Sequence, residues 1–282
     1  MKVLSKNPRV FQRRRRYLQH IFGCVLIVVC IIHLSSYFLS SRESRRNIRH
    51  DVMMEAEKNA ISMQKKELIV IQELTEDTKH LTNKGLWKYL QCEDIFATER
   101  PIHSIDTWNH ARQVYRQIVG NDQSSIGTKQ DDIIDIDGFQ VAHIAKQAPP
   151  KGRGIFAAQD IKKGELIWST KKTIRFSDGD SYRKFNLSVE RGFACDVLQW
   201  SYVQRLENGE LRVSTDLDDG AFCNSGSLSY KANMGCDKDV AKIYKGGCVE
   251  NYFALSDIKA GDELLCAYGS FAIPGGWKEF TL

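Results

Sequence analysis

The sequence predicts a β-rich, mixed α+β domain in the C-terminal half of the chain, preceded by an N-terminal transmembrane helix and a helical stalk. Three observations predict this. From Gly138 onward, eight short apolar runs alternate with turn residues. Residues 21–39 (IFGCVLIVVCIIHLSSYFL) are nineteen consecutive positions without a charge. Between these regions, residues 42–82 are rich in Arg, Glu, Lys and Gln, with apolar positions at Val52, Ala56, Met63, Val70, Leu74 and Leu81 at helical spacing. A chain of 282 residues, 42% hydrophobic, has room for one well-packed domain and an appendage. The expected division is a basic tail over 1–20, a signal-anchor helix over 21–39, stalk and linker over 40–137, the main domain over 138–272 and a tail over 273–282.

At about 1.5 Å per residue, the charge-free run just covers a hydrocarbon core of about 30 Å. A cleaved signal peptide is the rival reading. The run is longer than the usual cleavable apolar region, and no A-x-A-like site follows it. Seven Lys and Arg residues precede the run and four lie in the ten positions after it, so the positive-inside rule places the N-terminus in the cytoplasm. This makes the chain a single-pass type II protein, with the domain across a membrane of the endomembrane system. Residues 1–50 carry eleven Lys and Arg against Glu43 alone, although the whole chain is only +5. Residues 51–282 are left with 29 basic and 34 acidic side chains, which offers no basic field for nucleic acid.

In the stalk, Asn59 and Glu67 interrupt the apolar seam, which favours a solvated spacer over a self-associating coiled coil. A second helix is predicted over 104–118. Ser104 can cap it, Trp108, Ala111, Tyr115 and Ile118 share a face, and Gly120-Asn121 ends it. The polar, acidic stretch 120–137 reads as a linker. Six cysteines, Cys92, Cys195, Cys223, Cys236, Cys248 and Cys266, lie outside the span and none forms a C-x-x-C pair. Buried thiols and disulfides are both open, and no metal site has a local signature. Asn186-Leu187-Ser188 is a glycosylation acceptor if its segment is lumenal.

The β runs are expected over 139–144, 154–158, 165–169, 173–176, 200–206, 211–215, 240–244 and 248–255, with a hairpin at Asn208-Gly209. Only 181–198 looks helical in this region. An internal echo follows: residues 156–166 (FAAQDIKKGEL) are matched 97 positions later by 253–263 (FALSDIKAGDE). Each copy reads as strand, tight turn, strand. Asp is placed to bond the turn backbone and Gly to take the positive-φ position.

The echoes and their surroundings resemble the SET domain, the β-rich fold of many protein lysine methyltransferases, over about residues 138–272. Gly152-Arg153-Gly154, followed by Ile155-Phe156-Ala157-Ala158, looks like the family's cofactor-side motif. The segment 218–226 (DDGAFCNSG) falls where the family has a loop ending in Asn-His-Ser, and 262–269 (DELLCAYG) is similar to its closing motif. The resemblance implies short strands with a knotted C-terminal segment and S-adenosyl-L-methionine as cofactor. It places Gly152, Arg153, Gly154 and Asn224 around that cofactor and makes Tyr268 the catalytic residue. A tyrosine suits the chemistry, because methyl transfer from a sulfonium is an in-line displacement that needs alignment more than a strong base.

The chain departs from the family pattern at Ser225 in place of His, at Cys266 in place of Phe or Tyr, and at Ala267 in place of Asp. The smaller Cys266 implies a roomier channel. Asn233 matches the family's second Asn, and Trp277 or Phe280 is placed to close over the adenine. The expectation is a membrane-anchored, S-adenosylmethionine-dependent protein-lysine N-methyltransferase acting on a basic, lysine-containing protein segment, which Asp216, Asp218 and Asp219 would attract. The alternative is a catalytically inactive SET-fold interaction module at a membrane, which the three altered positions favour.

Overall fold

The computed structural model describes residues 78–128, 137–226 and 231–282, all within one unit, Val70–Leu282. The basic tail, the charge-free run 21–39 and the stalk as far as residue 77 lie outside the described residues. Among the described residues, no helix is long and apolar enough to cross a membrane.

Helix α1 (Asn83–Tyr89) starts at Thr82, whose hydroxyl accepts from Gly85 N, and α2 (Cys92–Phe96) follows directly. Helix α3 (Ile105–Val119) matches the predicted one: Ser104 Oγ accepts from Thr107 N at 3.3 Å and Gly120 ends the helix. Trp108, Ala111 and Tyr115 are buried on one face. The stalk expectation needs correction here. Leu86, Leu90, Trp108, Val114 and Tyr115 belong to the same apolar core as Ile155, Phe176 and Leu198, so residues 78–128 are part of the folded domain. The fully buried Arg112 extends Nη1 to Leu217 O at 2.6 Å. The linker's start docks as well: Arg116 Nε donates to Gly127 O at 2.7 Å and Ile126 is buried. Polar composition hid this contact, because the anchors are backbone carbonyls, which leave no trace in side-chain type.

Among the described residues, ten strands form three small sheets. β1 (His143–Gln147) pairs antiparallel with β2 (Arg153–Ala157). β4 (Thr173–Phe176), β6 (Leu211–Asp216) and β5 (Tyr202–Arg205) form a second sheet, with the predicted Asn208-Gly209 turn joining β5 to β6 at Gly209 φ +86°. The third runs β3 (Leu166–Ser169), β9 (Asn251–Ala254), β8 (Met234–Gly235), β10 (Leu265–Cys266), β7 (Asn224–Ser225). The last strand thus lies between two earlier ones, parallel to both, as a threaded C-terminal segment requires. The architecture is mixed α+β, as predicted.

The two echoes bond to one another. Ile161 N donates to Ile258 O and Ile258 N to Ile161 O, both at 2.9 Å. Gly164 N reaches Ala254 O and Gly261 N reaches Ala157 O, both at 2.8 Å. Each Asp caps the other copy's turn: Asp160 Oδ1 accepts from Ala260 N, and Asp257 Oδ1 accepts from Lys163 N, both at 3.0 Å. Gly164 and Gly261 hold φ values of +83° and +94°, which only glycine adopts cheaply.

Several local expectations are corrected. The first strand begins at His143, because Phe139 makes only an isolated bridge to Trp168. The 181–198 segment forms two helices, α4 (Gly179–Ser188) and α5 (Arg191–Trp200), each started by an acidic cap, Asp178 and Glu190. The run 240–244 is not a strand: Asp237 caps α6 (Lys238–Ala241) there, and α7 (Gly247–Glu250) occupies the start of the 248–255 run. Asn186 is 1% exposed and donates Nδ2 to Tyr182 O at 2.9 Å, so the folded domain does not present it as a glycosylation acceptor. The 273–282 tail is anchored by the buried Phe280 and Leu282 and by Arg183, which donates to Thr281 O.

All six cysteines of the domain are paired, as Cys92–Cys195, Cys223–Cys266 and Cys236–Cys248. Cys92–Cys195 joins α2 to α5 across 103 residues, the longest of the three closures. Replacing both cysteines by alanine is expected to cost about 4–5 kcal/mol in the chain-entropy account. Urea denaturation under non-reducing conditions measures it, and an unchanged midpoint would show that this bond contributes nothing.

Candidate functional site

A cavity of about 690 Å3 is lined by the glycine motif, the Asn224 loop and the Tyr268 segment, and so gathers Gly152, Arg153, Asn224 and Tyr268 but not Gly154. Gly154 lies immediately behind that wall. A Cβ there would stand 2.8 Å from Glu263 Oε1 and 3.1 Å from Asn224 Nδ2. The lack of a Cβ there lets these two side chains of the protein approach. Gly152 has the different task of turning the chain at φ +90°, closed by Ala148 N donating to Gly152 O at 2.6 Å.

The Arg153 side chain is engaged by the protein's own groups. Its guanidinium makes a two-pronged pair with Asp196, at 2.8 and 2.9 Å, and stacks on Trp200 and Phe222, each centroid 4.9 Å away. Arg100 and His103 join the same carboxylate at 2.9 and 2.7 Å. Burial raises the Asp196 carboxyl, but hydrogen bonds from His103, Arg153 and Arg100 outweigh it and hold the group well below the usual carboxylate range. The Arg153 carbonyl is bonded separately.

That carbonyl accepts from Asn224 Nδ2 at 2.7 Å, and the second N–H of the same amide goes to Glu263 Oε1 at 2.8 Å. Both donors of Asn224 are therefore used, which leaves Oδ1 as the acceptor available on the cavity wall. Glu263 Oε2 in turn pairs with Lys151 Nζ at 2.5 Å. Sequence reasoning did not assign Glu263 or Lys151, although Glu263 lies within the closing motif and Lys151 directly precedes the glycine motif. Asn233 braces the threaded strand: its Nδ2 donates to Glu263 O at 2.9 Å and its Oδ1 accepts from Leu265 N at 2.8 Å. Ser225 is exposed and bonds only locally, to Gly226 O.

Tyr268 donates its hydroxyl to Cys223 O at 2.6 Å. Burial raises its phenol, helped by the Asp216 charge, so the hydroxyl stays protonated at neutral pH. The expectation of a roomier channel at Cys266 is revised, because Cys266 is bonded to Cys223 and the two sulfurs occupy this wall. Beside them, Trp168, Tyr202, Tyr252 and Phe271 form an aromatic lining. Trp277 also lines the cavity, whereas Phe280 is buried in the core. Of the three acids expected to attract substrate, Asp218 accepts from Gly138 N, Gly220 N and Trp168 Nε1, and Asp219 pairs with His143. Asp216 alone of the three lines the cavity. Among the described residues, no group of three or more His, Cys, Asp or Glu side chains is gathered for a metal ion.

Residues 152–269 match the family model described as the SET domain, and this stretch supplies much of the cavity wall. The solved structures similar to this chain include the Chaetomium thermophilum Polycomb Repressive Complex 2 bound to GSK126. That match is 25% identical, with a TM-score of 0.33, over 50% of this chain and 17% of that one. The same complex, in an autoinhibited conformation bound to S-adenosylmethionine, matches at 22% identity and TM-score 0.33, over 49% of this chain and 16% of that one. A Plasmodium falciparum protein described as a candidate histone methyltransferase matches at 22% identity and TM-score 0.29, over 46% of this chain and 95% of that one. The chain thus spans about one sixth of the first relatives' length. No curated protein sequence matches it.

Asp196 ties the N-terminal segment to the glycine loop. Asp196→Asn leaves the buried guanidinium of Arg153 without its counter-charge and is expected to cost about 3–5 kcal/mol, read from denaturant midpoints. Because the carboxyl titrates lower in the folded chain than its unfolded value of about 3.9, the unfolded chain takes up the proton first as pH falls. Wild-type stability from this group is therefore present above about pH 4 and lost below it, and the variant should lack that acid-limb loss.

Proposed function

We propose that this chain is an S-adenosylmethionine-dependent protein-lysine N-methyltransferase. One observation carries the reading: Asn224, the glycine loop and Tyr268 meet on a single cavity within the stretch that matches the SET domain. The donor set fits the cofactor. Asn224 Oδ1 offers an acceptor for its ammonium, Lys151 offers a cation for its carboxylate, and Trp277 offers a ring face for its adenine. When bound, S-adenosylmethionine supplies an electrophilic methyl group on a sulfonium.

The protein's own work is alignment. Tyr268 commits its proton to Cys223 O, so the phenol oxygen keeps its lone pairs as acceptors beside that carbonyl. Such fixed partial negative charges suit a reacting centre where positive charge moves from sulfur to nitrogen. A phenol raised by burial stays neutral and is not a base. The Cys223–Cys266 bond fixes the carbonyl that Tyr268 reaches and the strand that leads to Tyr268. The net acidity of residues 51–282 suits a basic, lysine-containing protein segment as substrate.

The proposal extends to location. A type II anchor over 21–39 places the domain in a lumen of the endomembrane system, and pairing of all six domain cysteines fits such an oxidising compartment. Titration calorimetry of the full chain with S-adenosylmethionine tests the central claim. Saturable binding is expected, weakened about 10- to 100-fold in Asn224→Ala, the scale of a lost charge-assisted hydrogen bond. Tyr268→Phe should keep cofactor binding and lose about 100-fold of methyl transfer to an arrayed lysine peptide. A folded chain that binds no cofactor would be the silent interaction module instead.

A further inference from the structure

Of the three disulfides, one stands on the cavity wall. Cys223 and Cys266 line the cavity, 6% and 5% exposed, whereas Cys92 and Cys195 are fully buried and neither Cys236 nor Cys248 lines it. A small thiol that enters the cavity therefore meets this bond without first unfolding the domain.

The bond holds a joint that is otherwise slight. β7 and β10 pair over two residues each, Leu265 with Asn224 and Cys266 with Ser225. So short a pair resists separation weakly by itself, and the covalent tie beside it limits how far Cys223 can move. Three parts of the site hang on that joint. The Cys223 carbonyl holds the Tyr268 hydroxyl at 2.6 Å, Asn224 follows Cys223 directly, and Tyr268 lies two residues after Cys266. Once reduced, the two sulfurs part to van der Waals separation, about 3.5 Å or more, which drives Cys223 and Cys266 apart. The opened form is also provided for: Cys223 Sγ lies 3.6 Å from Leu264 O and 3.9 Å from Asn224 O, two acceptors for a thiol proton.

We infer that the Cys223–Cys266 bond is a redox switch on this site, closed in an oxidising compartment and opened by a dithiol. Naming methyl transfer as the controlled activity rests on the methyltransferase reading, whereas the switch itself rests on the bond and the wall. The step is thiol–disulfide exchange. One thiolate of the dithiol attacks a sulfur of the pair, forms a mixed disulfide and releases the other cysteine as a thiolate. The second thiolate of the same dithiol then displaces the remaining cysteine. The dithiol leaves as a cyclic disulfide, two electrons pass to the protein, and both cysteines take up a proton. Opening releases the carbonyl that Tyr268 reaches and loosens Asn224, so the site comes apart while the rest of the domain stays folded.

The test is hydrogen–deuterium exchange of the full chain near pH 8, before and after dithiothreitol, with the opened cysteines mapped by iodoacetamide and mass spectrometry. Exchange in peptides covering 222–226 and 264–269 should rise about tenfold or more and recover when the dithiol is removed, while helix Arg191–Trp200 keeps its protection and Cys92 and Cys195 stay unalkylated. Cys223→Ala/Cys266→Ala should show the raised exchange without dithiol and no further response. Cys236→Ala/Cys248→Ala should respond as wild type does. A bond that dithiothreitol cannot open in the folded chain, a local response that persists in Cys223→Ala/Cys266→Ala, or loss of protection across the whole domain overturns the inference. Titrating S-adenosylmethionine into the oxidised and reduced samples separates the two claims. Binding about tenfold weaker after reduction supports both. Equal binding in the two forms sinks the switch alone, and an intact exchange response without any cofactor binding sinks the methyltransferase reading alone.

Discussion

The reciprocal backbone bonds between Ile161 and Ile258 are the constraint on which the site depends. They lock two segments 97 residues apart into one register, with the glycine loop just before the first copy, Glu263 at the end of the second and Tyr268 just after it. A slip of one residue would exchange the two faces of each strand and carry Glu263 away from Asn224. Both copies therefore need the same short turn. Each donates its turn glycine's N–H to the strand before the other copy's turn, and each uses its Asp to cap the other's turn.

On that frame, one amide ties three strands together. Asn224 spends its two N–H groups on β2 and on the residue that leads into β10, while its own strand lies against β10. Few other side chains can donate twice and still present an acceptor. The Cys223–Cys266 bond repeats the tie covalently one residue away. At Gly154 these groups leave no room for a Cβ, so that glycine answers to the protein's own packing.

The N-terminal segment is held on by charge as well as by apolar contact. Arg100 and His103 reach the same buried carboxylate that holds Arg153. A buried pair of this kind contributes little against a well-packed apolar substitute, but removing one partner is costly. It therefore makes the glycine loop's placement conditional on a segment that lies outside the 152–269 match.

The sequence carried the local information well. Backbone conformation at Gly152, Gly164, Gly209 and Gly261 and the cap at Ser104 follow from residue type, because these are short-range effects. The motif segments that meet at the cavity could be singled out for the same reason, since each is a contiguous pattern. The sequence also misled where local pattern was ambiguous: the 240–244 run alternates like a strand, yet an Asp cap and tertiary packing make it helical. What only the tertiary structure decided was pairing at a distance. It determined which cysteines bond, that Arg153 turns to Asp196, that Glu263 and Lys151 close behind Asn224, that Asp216 rather than its neighbours faces the cavity, and that residues 78–128 belong to the core. Such choices depend on where side chains far apart in the chain come to lie. A sequence states the chemistry of each partner but not the distance between them.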